Sequence, residues 1–270
     1  MPALDFAAVG DNCIDKFLDQ GWARVGGNAL NVAVHIAKSE NNSFYFGAVG
    51  NDTDGIWTKD VLMENDVDVK HLQFLPEITA YTNINHGPEG DRIFAFEEFG
   101  ACAAYRPSAE DIDHLRTMSH VHVGWFKGTD MLCTALADTG VTLSRDIAVN
   151  DEGGPMDVVF GSVGESFDLA RKELARLLQQ GHQLAVVTCG ALGSIASNGK
   201  EEWQTVSDPV DVIDTTGAGD TYIANFLVNW RNGADIEEAL KIASKIAAQT
   251  CTHLGGFPQQ GHGLFNNGTV

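Results

Sequence analysis

Basic residues are scarce in this chain of 270. Only 17 are Lys or Arg, against 37 Asp or Glu, so the formal net charge is −20. A phosphate backbone is gripped by clustered Lys and Arg, so this deficit argues against a nucleic-acid partner, and against docking on anionic membranes as well. No apolar run approaches the roughly 18–20 residues that span a bilayer. The first residues, Met1-Pro2-Ala3-Leu4-Asp5, carry no basic segment followed by an apolar stretch, so no signal peptide is expected. Cysteines number five, dispersed at 13, 102, 133, 189 and 251 with no C-x-x-C spacing. They suit buried thiols in a reducing, cytoplasmic setting better than a disulfide framework or a zinc site. His120 and His122 form the one close histidine pair, on the same face if the segment is a strand, with no third ligand nearby; core histidines are the plainer reading. The sequons at Asn41, Asn51 and Asn267 read as chance matches.

Hydrophobic residues, at 44%, and charged residues, at 20%, make an ordinary globular composition. A short apolar strand, Leu4–Val9, leads through Gly26-Gly27 to a helix at 28–38. A second strand at 43–49 and a helix at 54–64 follow. This rhythm predicts an α/β fold whose central sheet is largely parallel and flanked by helices. It breaks at about 72–99, where 79–85 and 91–97 alternate with period two around the turn Gly87-Pro88-Glu89-Gly90. That pattern predicts a β-hairpin lid. Tyr81, Ile84, Ile93 and Phe96 give it more apolar surface than two strands can bury on themselves. Alternation then resumes, with helices expected near 109–118, 130–137 and 165–180, and strands at 121–124, 141–144, 157–160 and 184–188. Two last helices are expected at 218–231 and 236–250. The division expected is one α/β domain over 1–256 and a fraying tail over 257–270.

The richest segment is Asp214-Thr215-Thr216-Gly217-Ala218-Gly219-Asp220, a small-residue loop entering a helix. Free N–H groups and the helix dipole make such a loop an anion hole, and glycine lets a phosphoryl group approach the backbone. An acid at 220 gains nothing by binding phosphate, since like charges repel. It is useful where an attacking hydroxyl must lose a proton. Taken alone, the loop could equally be a Gly-rich turn whose Asp favours the helix dipole. It is not a Walker A loop, for no Gly-Lys-Ser/Thr follows.

Asp214–Asp220 resembles the C-terminal signature of the ribokinase-like, PfkB-type carbohydrate kinases, and Gly26-Gly27-Asn28-Ala29-Leu30-Asn31 resembles their N-terminal one. Their order, their separation and the chain length agree with that family over nearly the whole sequence. The opening Gly10-Asp11-Asn12-Cys13-Ile14-Asp15 looks most like its fructoselysine 6-kinase branch. The resemblance implies an ATP-dependent sugar kinase with Asp220 as catalytic base and Gly217, Ala218 and Gly219 holding the transferring phosphoryl group. It implies sugar contacts at Asp15, Gly26, Gly27 and Asn31, with Arg92 near the mouth, while Asp11 either touches substrate or caps a turn. Thr188, Gly190, Gly193 and Thr216 become ATP contacts alongside Gly217 and Gly219. Mg²⁺ is implied beside Glu165, through water, and a monovalent cation such as K⁺ beside Asp214 and Thr216. A homodimer paired through the lids is implied too.

Two departures bear on these expectations. The family's Asn-x-x-Glu segment reads Ser162-Val163-Gly164-Glu165, so a hydroxyl must hold the metal-bound water. Where ribokinases place an acidic sugar contact, this chain has Gly124-Trp125-Phe126-Lys127. Trp125 is then either a core residue or a cover for an apolar or aminated substrate arm. Loss of the acid puts plain ribose in doubt and favours a ketose-like sugar or a sugar–amine adduct, phosphorylated on a primary hydroxyl. The alternatives are a kinase of fructose, ribose or a nucleoside, and a non-catalytic sensor that kept the fold.

Overall fold

The computed structural model describes residues 3–86 and 92–264; side chains of 86 and 92–94 lie outside that description. Nine strands form the central sheet: β1 (Asp5–Val9), β4 (Asn42–Gly50), β5 (Leu72–Leu75), β8 (His120–Val123), β9 (Thr142–Asp146), β10 (Val158–Ser162), β11 (Leu184–Thr188), β12 (Ser194–Ser197) and β13 (Glu202–Thr205). Their order is β13-β12-β11-β10-β9-β8-β1-β4-β5. From β11 to β5 all neighbours are parallel; β12 and β13 close the other edge as an antiparallel hairpin.

Parallel strands need crossovers, and helices supply them on both faces. Helices α1 (Asn28–Ala37), α2 (Thr53–Glu64), α7 (Ala218–Arg231) and α8 (Ile236–Thr250) lie on one side, and α3 (Gly100–Ala104), α4 (Ala109–Leu115), α5 (Thr129–Leu136) and α6 (Phe167–Gln179) on the other. Alternation along β1 shows how the sheet is sandwiched. Phe6 and Ala8 enter the core shared with α1, α7 and α8, while Ala7 and Val9 enter the core built with α3, α4 and α5. In β11, Leu184 and Val186 join the first core, and Ala185 and Val187 pack under α6. Two-sided burial explains why these strands read as unbroken apolar runs.

The lid is wider than the expected hairpin. Strands β6 (Tyr81–His86) and β7 (Arg92–Glu98) pair as expected, but β2 (Cys13–Phe17), β3 (Trp22–Gly26) and β14 (His262–Gly263) complete a five-stranded sheet in the order β14-β3-β2-β6-β7. Residues 72–75 belong instead to the edge of the central sheet. Two strands alone cannot bury an apolar face; β2 widens the pair by running parallel to β6, Tyr81 packs against the main core, and Ile84 is 1% exposed. The turn at 87–90 lies outside the described residues. The described part of the expected tail, 257–264, is anchored. Gln259 accepts from Val25 N–H at 2.9 Å and donates to Val25 C=O at 2.8 Å, and His262–Gly263 pairs with β3.

Candidate active site

The site forms where the carboxyl ends of the central strands meet the N-termini of α1 and α7. Gly27, at φ +111°, makes the turn into α1, and a Cβ there would lie 2.5 Å from Asn12 Cα. This turn presents Asn28 and Asn31, one helical turn apart, toward the start of α7. Each donates its side-chain amide to Asp220 at 2.7 Å, Asn28 to Oδ1 and Asn31 to Oδ2. Burial raises the Asp220 pKa to about 7, with Asp146 and Asp11 adding repulsion and the two amides pulling the other way. By surface accessibility the residue is only half-buried, so an acceptor can still reach its carboxyl. An acid poised near neutrality is what general-base work needs.

The loop before α7 is braced from behind. Gly217, at φ +70°, lies so close to Gly256 that a Cβ would approach its Cα to 2.3 Å. Gly256 is held in turn by His35, whose Nε2 lies 2.7 Å from its carbonyl and 2.8 Å from Thr221 Oγ1. Asp214 Oδ1 accepts from Thr216 N–H at 2.9 Å and from its hydroxyl at 2.6 Å; Oδ2 accepts from Gly255 N–H at 2.8 Å. Thr216 is therefore buried against Asp214, while Thr215, Ala218 and Gly219 line a cleft.

That cleft, of about 730 Å³, is also lined by Thr188, Gly190, Gly193, Ser162, Glu165, Asp146 and the 207–212 loop. The volume suits a nucleotide-sized ligand. Glu165 precedes α6 instead of opening it, since Ser166 caps the helix by accepting from Leu169 N–H. Its carboxylate therefore faces the cleft wall beside Gly190. Among the described residues no three His, Cys, Asp or Glu side chains form a metal cage. Mg²⁺ needs no such cage, since it keeps several waters and takes one or two carboxylates plus substrate phosphates. Glu165 and Asp146 fit that requirement. Asp146 carried no sequence signal of its own, standing at the end of a buried strand.

On the other side of Asp220 stand the expected sugar contacts. Asp15 Oδ1 accepts from Cys13 Sγ at 3.2 Å, and a Cβ at Gly26 would lie 2.7 Å from Asp15 Oδ2. Asp11 resolves toward capping: it accepts from Asn28 N–H at 2.7 Å and Trp125 N–H at 3.0 Å, tying the start of α1 to the end of β8. Trp125 is no core residue; that place goes to Phe126, 1% exposed. The Trp125 ring packs 4.6 Å from Phe99, itself 47% exposed at the end of the lid. Arg92 opens β7 opposite His86, but its side chain lies outside the described residues.

A mostly parallel sheet flanked by helices, a small β lid, and an acid at a Gly-rich helix start beside a nucleotide-sized cleft define a ribokinase-like phosphotransferase. The family model described as "pfkB family carbohydrate kinase" matches residues 15–153 and 155–258, and the chain belongs to this family of ATP-dependent carbohydrate kinases. It is 30% identical over 258 residues to fructoselysine 6-kinase of Escherichia coli, covering 93% of this chain and 98% of that one. It is also 30% identical to fructosamine kinase FrlD of Bacillus subtilis, covering 94% and 93%. Arabidopsis thaliana ribokinase, solved with ribose and ATP, superposes with a TM-score of 0.84 at 22% identity, covering 95% of this chain and 96% of that one.

Proposed function

We propose that the enzyme transfers the γ-phosphoryl group of ATP to a primary hydroxyl of a ketose–amine adduct of the fructoselysine type. The observation that carries this reading is the placement of Asp220 between the nucleotide cleft and the polar cluster around Asp15 and Gly26. The acceptor oxygen attacks phosphorus as its proton passes to Asp220, and the bond from the γ-phosphorus to the β–γ bridging oxygen breaks in line to release ADP. The Gly217 and Gly219 N–H groups would serve the oxygens that gain charge, the contribution that commonly dominates such catalysis, while the Ala218 N–H donates to Thr215 C=O at 3.3 Å. Glu165 and Asp146, with water, would hold Mg²⁺, which would supply charge neutralisation to the phosphates. A K⁺ beside Asp214 would share a carboxylate already bonded to Thr216 and Gly255.

The substrate class rests on the two relatives named for fructosamine-type acceptors and on the aromatic pair Trp125–Phe99, whose tilted rings offer an apolar contact to an aminated arm. We extend the proposal to a homodimer paired through the lid sheets, supported by exposed Leu18 and by Phe96, 49% exposed. Light scattering at micromolar concentration checks it, and a 29 kDa monomer with full activity would rule it out. Cytoplasmic residence belongs to the same reading, supported by five free cysteines and an ATP donor. Among the described residues no helix is long and apolar enough to cross a membrane. An ATP-consumption screen over fructosamines, plain sugars and nucleosides tests the acceptor; a preference for nucleosides or ribose overturns it.

A further inference from the structure

Asn28 is held on its far side by a chain of buried groups. Its Oδ1 lies 3.2 Å from His122 Nε2; His122 Nδ1 lies 3.0 Å from Ser144 Oγ, and that hydroxyl lies 2.8 Å from His120 Nε2. All three of these outer residues are at 0% exposure. The register explains how they meet: His122 pairs with Ser144 across β8 and β9, and alternation turns both histidines toward α1 while Val121 and Val123 face the opposite core.

The directions of these bonds follow from elementary donor counting. An ionised Asp220 can only accept, so the Asn28 atom facing it must be the NH₂. The Asn28 oxygen then faces His122, whose Nε2 must carry a hydrogen. A neutral His122 leaves Nδ1 as an acceptor, filled by the Ser144 hydroxyl. Ser144 accepts in turn from His120 Nε2–H, and His120 Nδ1, buried without a partner among the described residues, is the bare end. Every donor points toward the base.

We propose that His122, set by Ser144 and His120, is a positioning residue that locks the Asn28 amide with its N–H toward Asp220 and so keeps the base ionisable. This rests on the reading of Asp220 as the base. Without the lock the amide can rotate and present its oxygen to the carboxylate, which opposes ionisation. Burial holds both histidines neutral: His122 is pushed down to about 3, with Arg145 adding to the effect, and His120 lies well below its ordinary value, with His122 and Arg231 contributing. The other groups acting on Asp220 are Asn31, which bonds it, and Asp146 and Asp11, which repel its charge. None belongs to the chain, so its removal isolates one amide.

The test is the pH profile of kcat for His122→Leu, His122→Gln and Ser144→Ala, beside Asp220→Asn. His122→Leu should move the acid limb up by about one pH unit, a roughly tenfold loss below it, with the KM for ATP unchanged. His122→Gln, which can still donate to Asn28, should restore most of the profile. Ser144→Ala should shift it by less and serves if the leucine variant does not fold. Nitrogen-15 NMR of the wild-type imidazoles should show neutral Nε2–H tautomers from pH 6 to 9. An unshifted limb in His122→Leu or in a folded Ser144→Ala, with Asp220→Asn inactive, overturns the lock alone. An imidazolium or Nδ1–H tautomer at His122 does the same. An active Asp220→Asn overturns the base assignment beneath it.

Discussion

The anion loop and the lid are built in opposite ways. The loop is one contiguous segment, 214–220, that carries its chemistry within itself, while Gly256 braces it from behind and Asn28 and Asn31 hold its acid. The lid draws five strands from residues 13 to 263, and the β2–β6 and β3–β14 pairings that hold it together join segments distant in sequence. A contiguous site tolerates little change within itself. A dispersed one spreads its stability over many weak contacts and leaves room for motion. Substitutions in the loop should therefore strike the chemical step, and those in the lid should strike sugar binding.

The sharpest separation comes from Asp220→Asn, expected to lower kcat by about 10²–10⁴-fold with both KM values nearly intact. Equal loss through KM would break the contrast. The same variant has a stability signature. Because the folded pKa of about 7 lies above the ordinary 3.8, the folded protein binds this proton more tightly than the unfolded chain. Wild-type stability therefore falls as pH rises through the window between those values, and above it the buried charge costs its full amount. The amide variant lacks the slope, and Asn31, whose Oδ1 has no partner among the described residues, can turn to accept from it. Its melting temperature should exceed wild type by a few degrees at pH 8 and by less at pH 5, as calorimetry across pH can check.

Gly217→Ala comes next. Its Cβ would press on Gly256 and its φ disfavours any L side chain, so roughly 1–3 kcal/mol of stability and most of the activity should go. Chemical denaturation with matched kinetics measures both. Asp15→Ala should raise the sugar KM strongly and spare the KM for ATP. Asn31→Ala should lower kcat, most at low pH, because its amide bonds Asp220, in addition to any rise in the sugar KM; steady-state kinetics across pH separates the two effects. Trp125→Ala should lower kcat/KM for a fructosamine by about tenfold and leave fructose little changed, about the worth of one apolar contact. The smallest effect is expected from Gln259→Ala, which frees β3 at one edge. A sugar KM raised about two- to threefold, with kcat unchanged, would place the tail in the lid's service.

Much of the main domain was legible. Helices over 218–231 and 236–250 stand where periodicity placed them, as does β11. The lid strands β2 and β3 were missed because their half-buried polar residues, Asp15, Lys16 and Arg24, interrupt the apolar pattern; the short β12 and β13 left no period to count. Asp220 was readable from its loop. Its partner Asn28 and the histidines behind it were not, because a polar side chain in a buried strand shows its purpose only through what stands across from it.

By itself the sequence determined the alternation of elements, the two Gly-rich turns and the identity of the acid at the start of α7, since each depends on spacing within one short segment. Tertiary structure alone decided that β2, β3 and β14 enlarge the lid, that Asp11 caps α1, and that two amides and a histidine chain converge on Asp220. Those arrangements join residues as far apart as Ala23 and His262, which pair across β3 and β14, and no local periodicity encodes which distant donor will face which acceptor once the core has closed.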